Sequence, residues 1–76
     1  MFSALQSAPD EKHEHWMREA LRAAYEARDR DEVPIGTCVV VADELLAVAG
    51  NRTRTDCDPT AHAEIVALRE AARKIG

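Results

Sequence analysis

The 76 residues predict an α/β fold, a small sheet sandwiched between helices in the order helix, strand, strand, helix. Three observations carry this. Residues 11–29 repeat apolar side chains at helical spacing, and residues 60–76 do so again. Between them, residues 35–49 hold two apolar runs rich in Val and Leu, separated by a short polar break. Neither run alternates apolar with polar, and strands apolar on both faces are covered on both faces. A helix on each side of the sheet makes three layers, α/β/α. Two strands leave both sheet edges open, so the sheet calls for further strands.

Composition bounds the rest. Fourteen residues are Ala, whereas Val, Ile, Leu and Phe together number 15. A domain this short buries only about 60% of its unfolded surface, so the core is expected to be small and built largely of alanine. With 10 Lys+Arg against 14 Asp+Glu the net charge is −4. That argues against a general nucleic-acid footprint while leaving room for a local basic cluster on RNA. Two cysteines, Cys38 and Cys57, exclude a disulfide scaffold. No apolar run approaches the roughly 20 residues of a membrane span. The opening Met1-Phe2-Ser3-Ala4-Leu5-Gln6 lacks the charged and long apolar regions of a signal peptide. The expectation is a soluble, cytoplasmic chain with no membrane partner.

Taken in order, residues 1–9 are expected to form a disordered arm and residues 10–76 one folded unit. Asp10 offers an N-cap, and Glu11 and Glu14 suit the first turn of a helix. Trp16, Ala20, Leu21, Ala23, Ala24 and Ala27 share one arc, with Met17 inside it and Tyr25 at its margin. Arg18, Glu19, Arg22, Glu26 and Arg30 gather opposite as a solvated face, with Arg22–Glu26 and Glu26–Arg30 as i,i+4 pairs. Pro34 and Gly36 close this region. Strands are expected over 35–42 and 45–49, with Asp43-Glu44 as the turn. A polar loop over 50–58 follows, and the second helix is expected to start at Asp58-Pro59 or Thr60. Its apolar stripe would be Ala61, Ile65, Leu68, Ala71, Ala72 and Ile75. Glu70–Lys74 forms a pair, and Gly76 stands at the C-cap.

Glu64 is the informative residue. Its helical angle places it among Ala61, Leu68 and Ala71, on the stripe that should face the sheet. A carboxylate there is costly unless it is paired or functional. A first-turn carboxylate capping backbone amides is the structural alternative. His62 lies two residues earlier, nearly opposite on a regular helix, so the two converge best at a helix start. Cys38, inside a Val-rich strand, reads as a small core residue, and Cys57 as a loop thiol within reach of a metal at best. His13 and His15 point to different sides of the first helix.

Pro59-Thr60-Ala61-His62-Ala63-Glu64 resembles the first zinc motif of the cytidine deaminase superfamily, whose signature is His-x-Glu followed by Pro-Cys-x-x-Cys. Glu32-Val33-Pro34-Ile35-Gly36, Gly50-Asn51-Arg52 and His15-Trp16-Met17 are similar to the tRNA adenosine deaminase branch, so the resemblance spans residues 13–76. It implies a cytidine deaminase-like fold, present here as its N-terminal half, with the remaining strands and helices absent. It further implies a zinc hydrolase that converts adenosine to inosine at the wobble position of tRNA. His62 would be a Zn2+ ligand and Glu64 the catalytic proton shuttle. Asn51 would hold the flipped-out base, Val33, Pro34 and Ile35 would line its pocket, and the Ala63 amide would face the attacking oxygen. The implied partners are a tRNA anticodon loop and, for the intact enzyme, a second copy. Arg52 and Arg54 add a small basic pair on the RNA side.

The chain departs from the pattern in one respect: no residue after Glu64 is Cys or His. Catalytic zinc takes about three protein ligands, so the 76 residues alone are expected to be inactive. Two alternatives stay open. One is a fragment of a free-base or nucleoside deaminase acting on guanine, cytosine or cytidine. The other is a non-catalytic truncated product or one half of a split protein.

Overall fold

The computed structural model describes residues 11–76. Helix α1 spans Glu11–Asp29, strand β1 Gly36–Val41, strand β2 Glu44–Gly50 and helix α2 Ala63–Ile75. The expected arm over 1–9 and the cap at Asp10 lie outside the described residues. The strands pair antiparallel in a two-stranded sheet. Each helix packs on both strands, α1 over Gly36, Cys38 and Gly50 and α2 over Val39, Ala47 and Ala49, so they cover opposite faces. The three-layer arrangement expected from the doubly apolar strands is what forms. No helix among the described residues is long and apolar enough to cross a membrane.

The α1 face is set by glycine. Gly36 and Gly50 are paired across the hairpin, and both lie under α1. A Cβ on Gly36 would stand 1.8 Å from the Ala20 carbonyl oxygen, and one on Gly50 2.7 Å from that of Ala23. The helix backbone therefore sits directly on the strands, and only a narrow ridge fits beneath it. Trp16, Ala23 and Ala27 are buried, Ala20 and Ala24 half-buried. Met17, Leu21 and Tyr25, expected on or beside the same arc, are exposed instead, because the close seat leaves no room for large flanking side chains. Cys38 is fully buried, as expected, and its thiol donates to the Trp16 carbonyl at 3.5 Å. Burial pushes that thiol's pKa up.

On the other face, Val39, Ala47 and Ala49 meet Ala67 and Ala71, with Leu46 and Val66 packed alongside. The buried ridge of α2 is thus Ala63, Ala67 and Ala71. Of the expected stripe only Ala61 and Ala71 are buried. Ile65 is half-buried, and Leu68, Ala72 and Ile75 are exposed, Ile75 at 66%. Alanines at i,i+4 spacing let α2 approach the sheet closely, and this outweighs turning the larger side chains inward. Glu64 follows the rotation. It is half-buried, at the margin of the buried Ala63, Ala67 and Ala71 ridge.

Local departures have local causes. The hairpin turn is Ala42-Asp43, one residue earlier than expected, flanked by the Val41–Glu44 pair. Both turn residues have left-handed φ, 50° and 63°, the type I′ geometry whose twist matches two-residue hairpins. Lys12 ties Asp43 to α1 at 3.1 Å. The register slips between Val39 and Val40, leaving Leu46 as the extra residue of β2. On α1, Arg22 bonds both Glu19 and Glu26, while no ion pair joins Glu26 to Arg30 among the described residues. Glu70 and Lys74 pair at 3.7 Å as expected.

Candidate active site

The site is assembled from three stretches distant in sequence. The first begins where α1 stops. Asp31 takes a left-handed φ of 64°, the Asp31 amide donates to Arg28 O at 3.0 Å, and the Glu32 amide donates to Ala27 O at 2.9 Å. This is a Schellman stop made with Asp in place of Gly, and it delivers Glu32 into the interior. Val33, Pro34 and Ile35 follow as exposed residues leading into β1.

The second stretch is the loop after β2. The Asn51 amide donates to Ile35 O at 3.1 Å, and the Arg52 amide donates to Ala61 O at 2.9 Å. These two bonds join the Val33–Ile35 segment, Asn51 and the start of α2. The loop folds over the Glu32 carboxylate, which is 5% exposed. Glu32 Oε1 accepts from the Arg54 amide at 3.2 Å and from Thr53 Oγ1 at 3.4 Å. Its Oε2 accepts from the Thr55 amide at 2.6 Å and the Thr55 hydroxyl at 2.5 Å. Burial alone would raise this carboxyl's pKa. The donors from Thr55, Arg54 and Thr53 outweigh it and hold the pKa at about 2. Arg54 also reaches Asp31 at 3.0 Å, and Arg52 pairs with Asp56 at 3.0 Å. The two arginines that read as an RNA-facing pair are each engaged by an acid.

The third stretch is the motif itself. Asp58 Oδ1 accepts from the Thr60 amide at 2.8 Å and from its hydroxyl at 2.7 Å. Those bonds, with the more distant Arg69 and His62, draw the Asp58 pKa down despite partial burial. Asp58 therefore closes a turn over 58–61 and does not begin a helix there. The Ala61 carbonyl, turned sideways to accept from Arg52, cannot continue a helical ladder either. α2 starts at Ala63, with His62 as an extended N-cap residue at φ −71°, ψ 157°. This removes the opposite-face problem, because His62 stands outside the helix and Glu64 at its second position. His62 is exposed, Glu64 half-buried and Ala63 fully buried. No side chain caps α2.

Asn51 is 2% exposed. Its Nδ2 donates to Thr53 Oγ1 at 3.3 Å, and its Oδ1 is buried with no partner. A buried acceptor without a donor is rare in a folded protein. Here it lies next to the Arg52–Ala61 bridge that leads to His62.

The donor set falls short of a closed metal site. Among the described residues, no three His, Cys, Asp or Glu side chains gather where a metal could be held. Cys57 is exposed, with its thiol 3.7 Å from Arg54 O, and Cys38 is sealed under α1. His15 is exposed with its ring 4.8 Å from that of Trp16. Among the described residues, only His62 stands where the motif would put a ligand.

The family model for the cytidine and deoxycytidylate deaminase zinc-binding region matches residues 10–76. The chain belongs to that deaminase family. This deaminase chain is 46% identical over 61 residues to the tRNA-specific adenosine deaminase of Buchnera aphidicola subsp. Schizaphis graminum, covering 80% of this chain and 40% of the relative. It is 48% identical over 62 residues to the tRNA-specific adenosine deaminase of Agrobacterium fabrum, covering 82% and 41%. A solved structure from studies of A-to-I editing by tRNA:A34 deaminases at the wobble position of transfer RNA superposes with a TM-score of 0.82. It is 48% identical and covers 83% of this chain and 46% of that one. The chain spans about two fifths of the length of these curated relatives.

Within the deaminase chain, sequence reasoning missed what Glu32, Thr53 and Asp58 do. Glu32 is the last acid before the apolar Val33-Pro34-Ile35 run, and Thr53 and Thr55 offer hydroxyls at alternate loop positions. That pattern is a usable signal only once the Schellman stop is recognised.

Proposed function

We propose that this chain forms part of a zinc-dependent hydrolase that deaminates adenosine to inosine at the wobble position of a tRNA anticodon loop. The observation that carries the reading is the buried, unpartnered Asn51 Oδ1, joined through the Arg52–Ala61 bond to the turn that presents His62 and Glu64. In this reading His62 supplies one zinc ligand through its ring, and the remaining ligands come from outside these 76 residues. Zinc, when bound, lowers the pKa of a water molecule toward neutrality. The Glu64 carboxylate carries one proton of the attacking water to the purine ring nitrogen, where it stays in inosine, and then carries the water's second proton to the amine that leaves as ammonia. The amide of Ala63, the first residue of α2, faces the attacking oxygen. Asn51 accepts a hydrogen bond from the extruded nucleoside, and Val33, Pro34 and Ile35 give the base an apolar wall. The intact enzyme acts as a homodimer.

The test is inosine formation in an anticodon stem-loop, run beside guanine, cytosine and cytidine. The enzyme is this chain completed by a segment carrying Pro-Cys-x-x-Cys. Inosine in the stem-loop with the free bases untouched is the expected result. Turnover of a free base or of cytidine, with the stem-loop unchanged, would move the chain to a different deaminase branch.

A further inference from the structure

Glu32 takes no part in the reaction proposed above, yet it is the most heavily bonded side chain among the described residues. Its charge has a consequence two hydrogen bonds away. An ionised carboxylate only accepts, so the Thr53 hydroxyl spends its single proton on Glu32 Oε1. Thr53 Oγ1 is left able only to accept from Asn51, so the amide end of the carboxamide, Nδ2, must face it. The other end, Oδ1, is then turned away, buried and unpartnered. The polarity of this relay decides which half of Asn51 is offered to a ligand.

We propose that Glu32, acting through Thr53, is a positioning residue that locks the Asn51 carboxamide with its acceptor toward the substrate. The site therefore selects an N–H or O–H donor on the bound nucleoside. The proposal rests on the reading of Asn51 as a substrate contact. The geometry around Glu32 serves it well. The Schellman stop holds the carboxylate from one side, and the Arg54 and Thr55 amides hold it from the other. The carboxyl's depressed pKa keeps it charged throughout the neutral range. A relay based on a neutral group would let the Thr53 proton point either way, and the carboxamide could then flip.

The test uses the completed deaminase and Thr53→Val, which keeps the side-chain shape and removes the hydroxyl. Glu32→Gln is the stronger lesion but strips the loop of its anchor, so Thr53→Val carries the decision. Thr53→Val should lower kcat/KM by about 5- to 30-fold, mainly through KM, as befits one misdirected buried hydrogen bond. Thr53→Ser should restore most of it. On an Asn51→Ala background, Thr53→Val should have no further effect, since nothing is left to orient. A Thr53→Val loss of the same factor on both backgrounds would overturn the relay while leaving Asn51 as a substrate contact. Failure of Thr53→Ser to rescue would also overturn the relay. An Asn51→Ala enzyme with unchanged kcat/KM would remove the reading of Asn51, and the proposal with it.

Discussion

The loop around Asn51 and the start of α2 lie side by side, yet they are built in opposite ways. In the loop, every charged group is engaged: Glu32 by four donors, Arg52 by Asp56, Arg54 by Asp31. One buried acceptor, Asn51 Oδ1, is left over. At the start of α2 the His62 ring and the Glu64 carboxylate make no hydrogen bond or ion pair with any described residue, and no side chain caps the helix. On the proposed function, the difference separates two tasks. A substrate contact works by being held still before the substrate arrives. A metal ligand and a proton carrier gain their partners only when the rest of the site and the substrate are present.

The largest expected effect falls on the bare side. In the completed deaminase, Glu64→Gln should retain zinc and lose turnover by about 100- to 10,000-fold, the range for removing a general acid–base. His62→Ala should lose both zinc and turnover. Zinc content and inosine yield on the two variants separate the roles, and inosine formation unaffected by Glu64→Gln would sink the proton-carrier assignment.

Next in size is a substitution beneath α1, on the strand pair that leads into the loop. Gly36→Ala forces a methyl against the Ala20 carbonyl and must lift α1. A loss of about 3 kcal/mol in a denaturant titration is expected. Because Glu32 hangs from the end of α1, the loop side should loosen before the start of α2 does. Hydrogen exchange at the Arg54 and Thr55 amides reports this.

A pH titration isolates the loop. The Glu32 carboxyl is depressed from its ordinary 4.5 to about 2, so its contribution is complete above the unfolded value and fades as pH falls toward 2. The Arg54 and Thr55 amides should stay protected at pH 5 and lose protection progressively below about pH 4. Glu32→Gln should abolish that dependence. The smallest effect is expected at the hairpin, where Ala42 holds φ 50°. Ala42→Gly should stabilise the chain by about 0.5–1 kcal/mol and leave both regions unchanged.

What was legible in the sequence follows the same division. Element order, the two covered sheet faces, buried Cys38 and the loop position of Cys57 all follow from periodicity and residue type. The rotation of α2 was hidden, because its wheel weights Leu68 and Ile75 above alanine, whereas contact with a thin sheet favours Ala63, Ala67 and Ala71. The start of α2 was hidden for a related reason. Pro59 is a good first helical residue, but Asp58 takes the Thr60 amide for itself and ends the helix before Pro59 can begin it. The turn slipped by one residue because Ala42 carries a φ that Ala rarely adopts. His62, Glu64 and Asn51, which carry the proposed function, were singled out through a resemblance. The Glu32 network was not, because its bonds join residues more than 20 apart and depend on a left-handed Asp31.

Zinc stoichiometry tests most directly whether the bare side of the site awaits ligands from outside these residues. The 76-residue chain should retain well under one zinc per chain after dialysis against a mild chelator, since His62 alone cannot close a tetrahedral site. Mixed with a segment carrying Pro-Cys-x-x-Cys, it should hold one zinc per chain, and His62→Ala should remove it. One zinc per isolated chain, surviving dialysis, would contradict the account and bring Cys57 into the site.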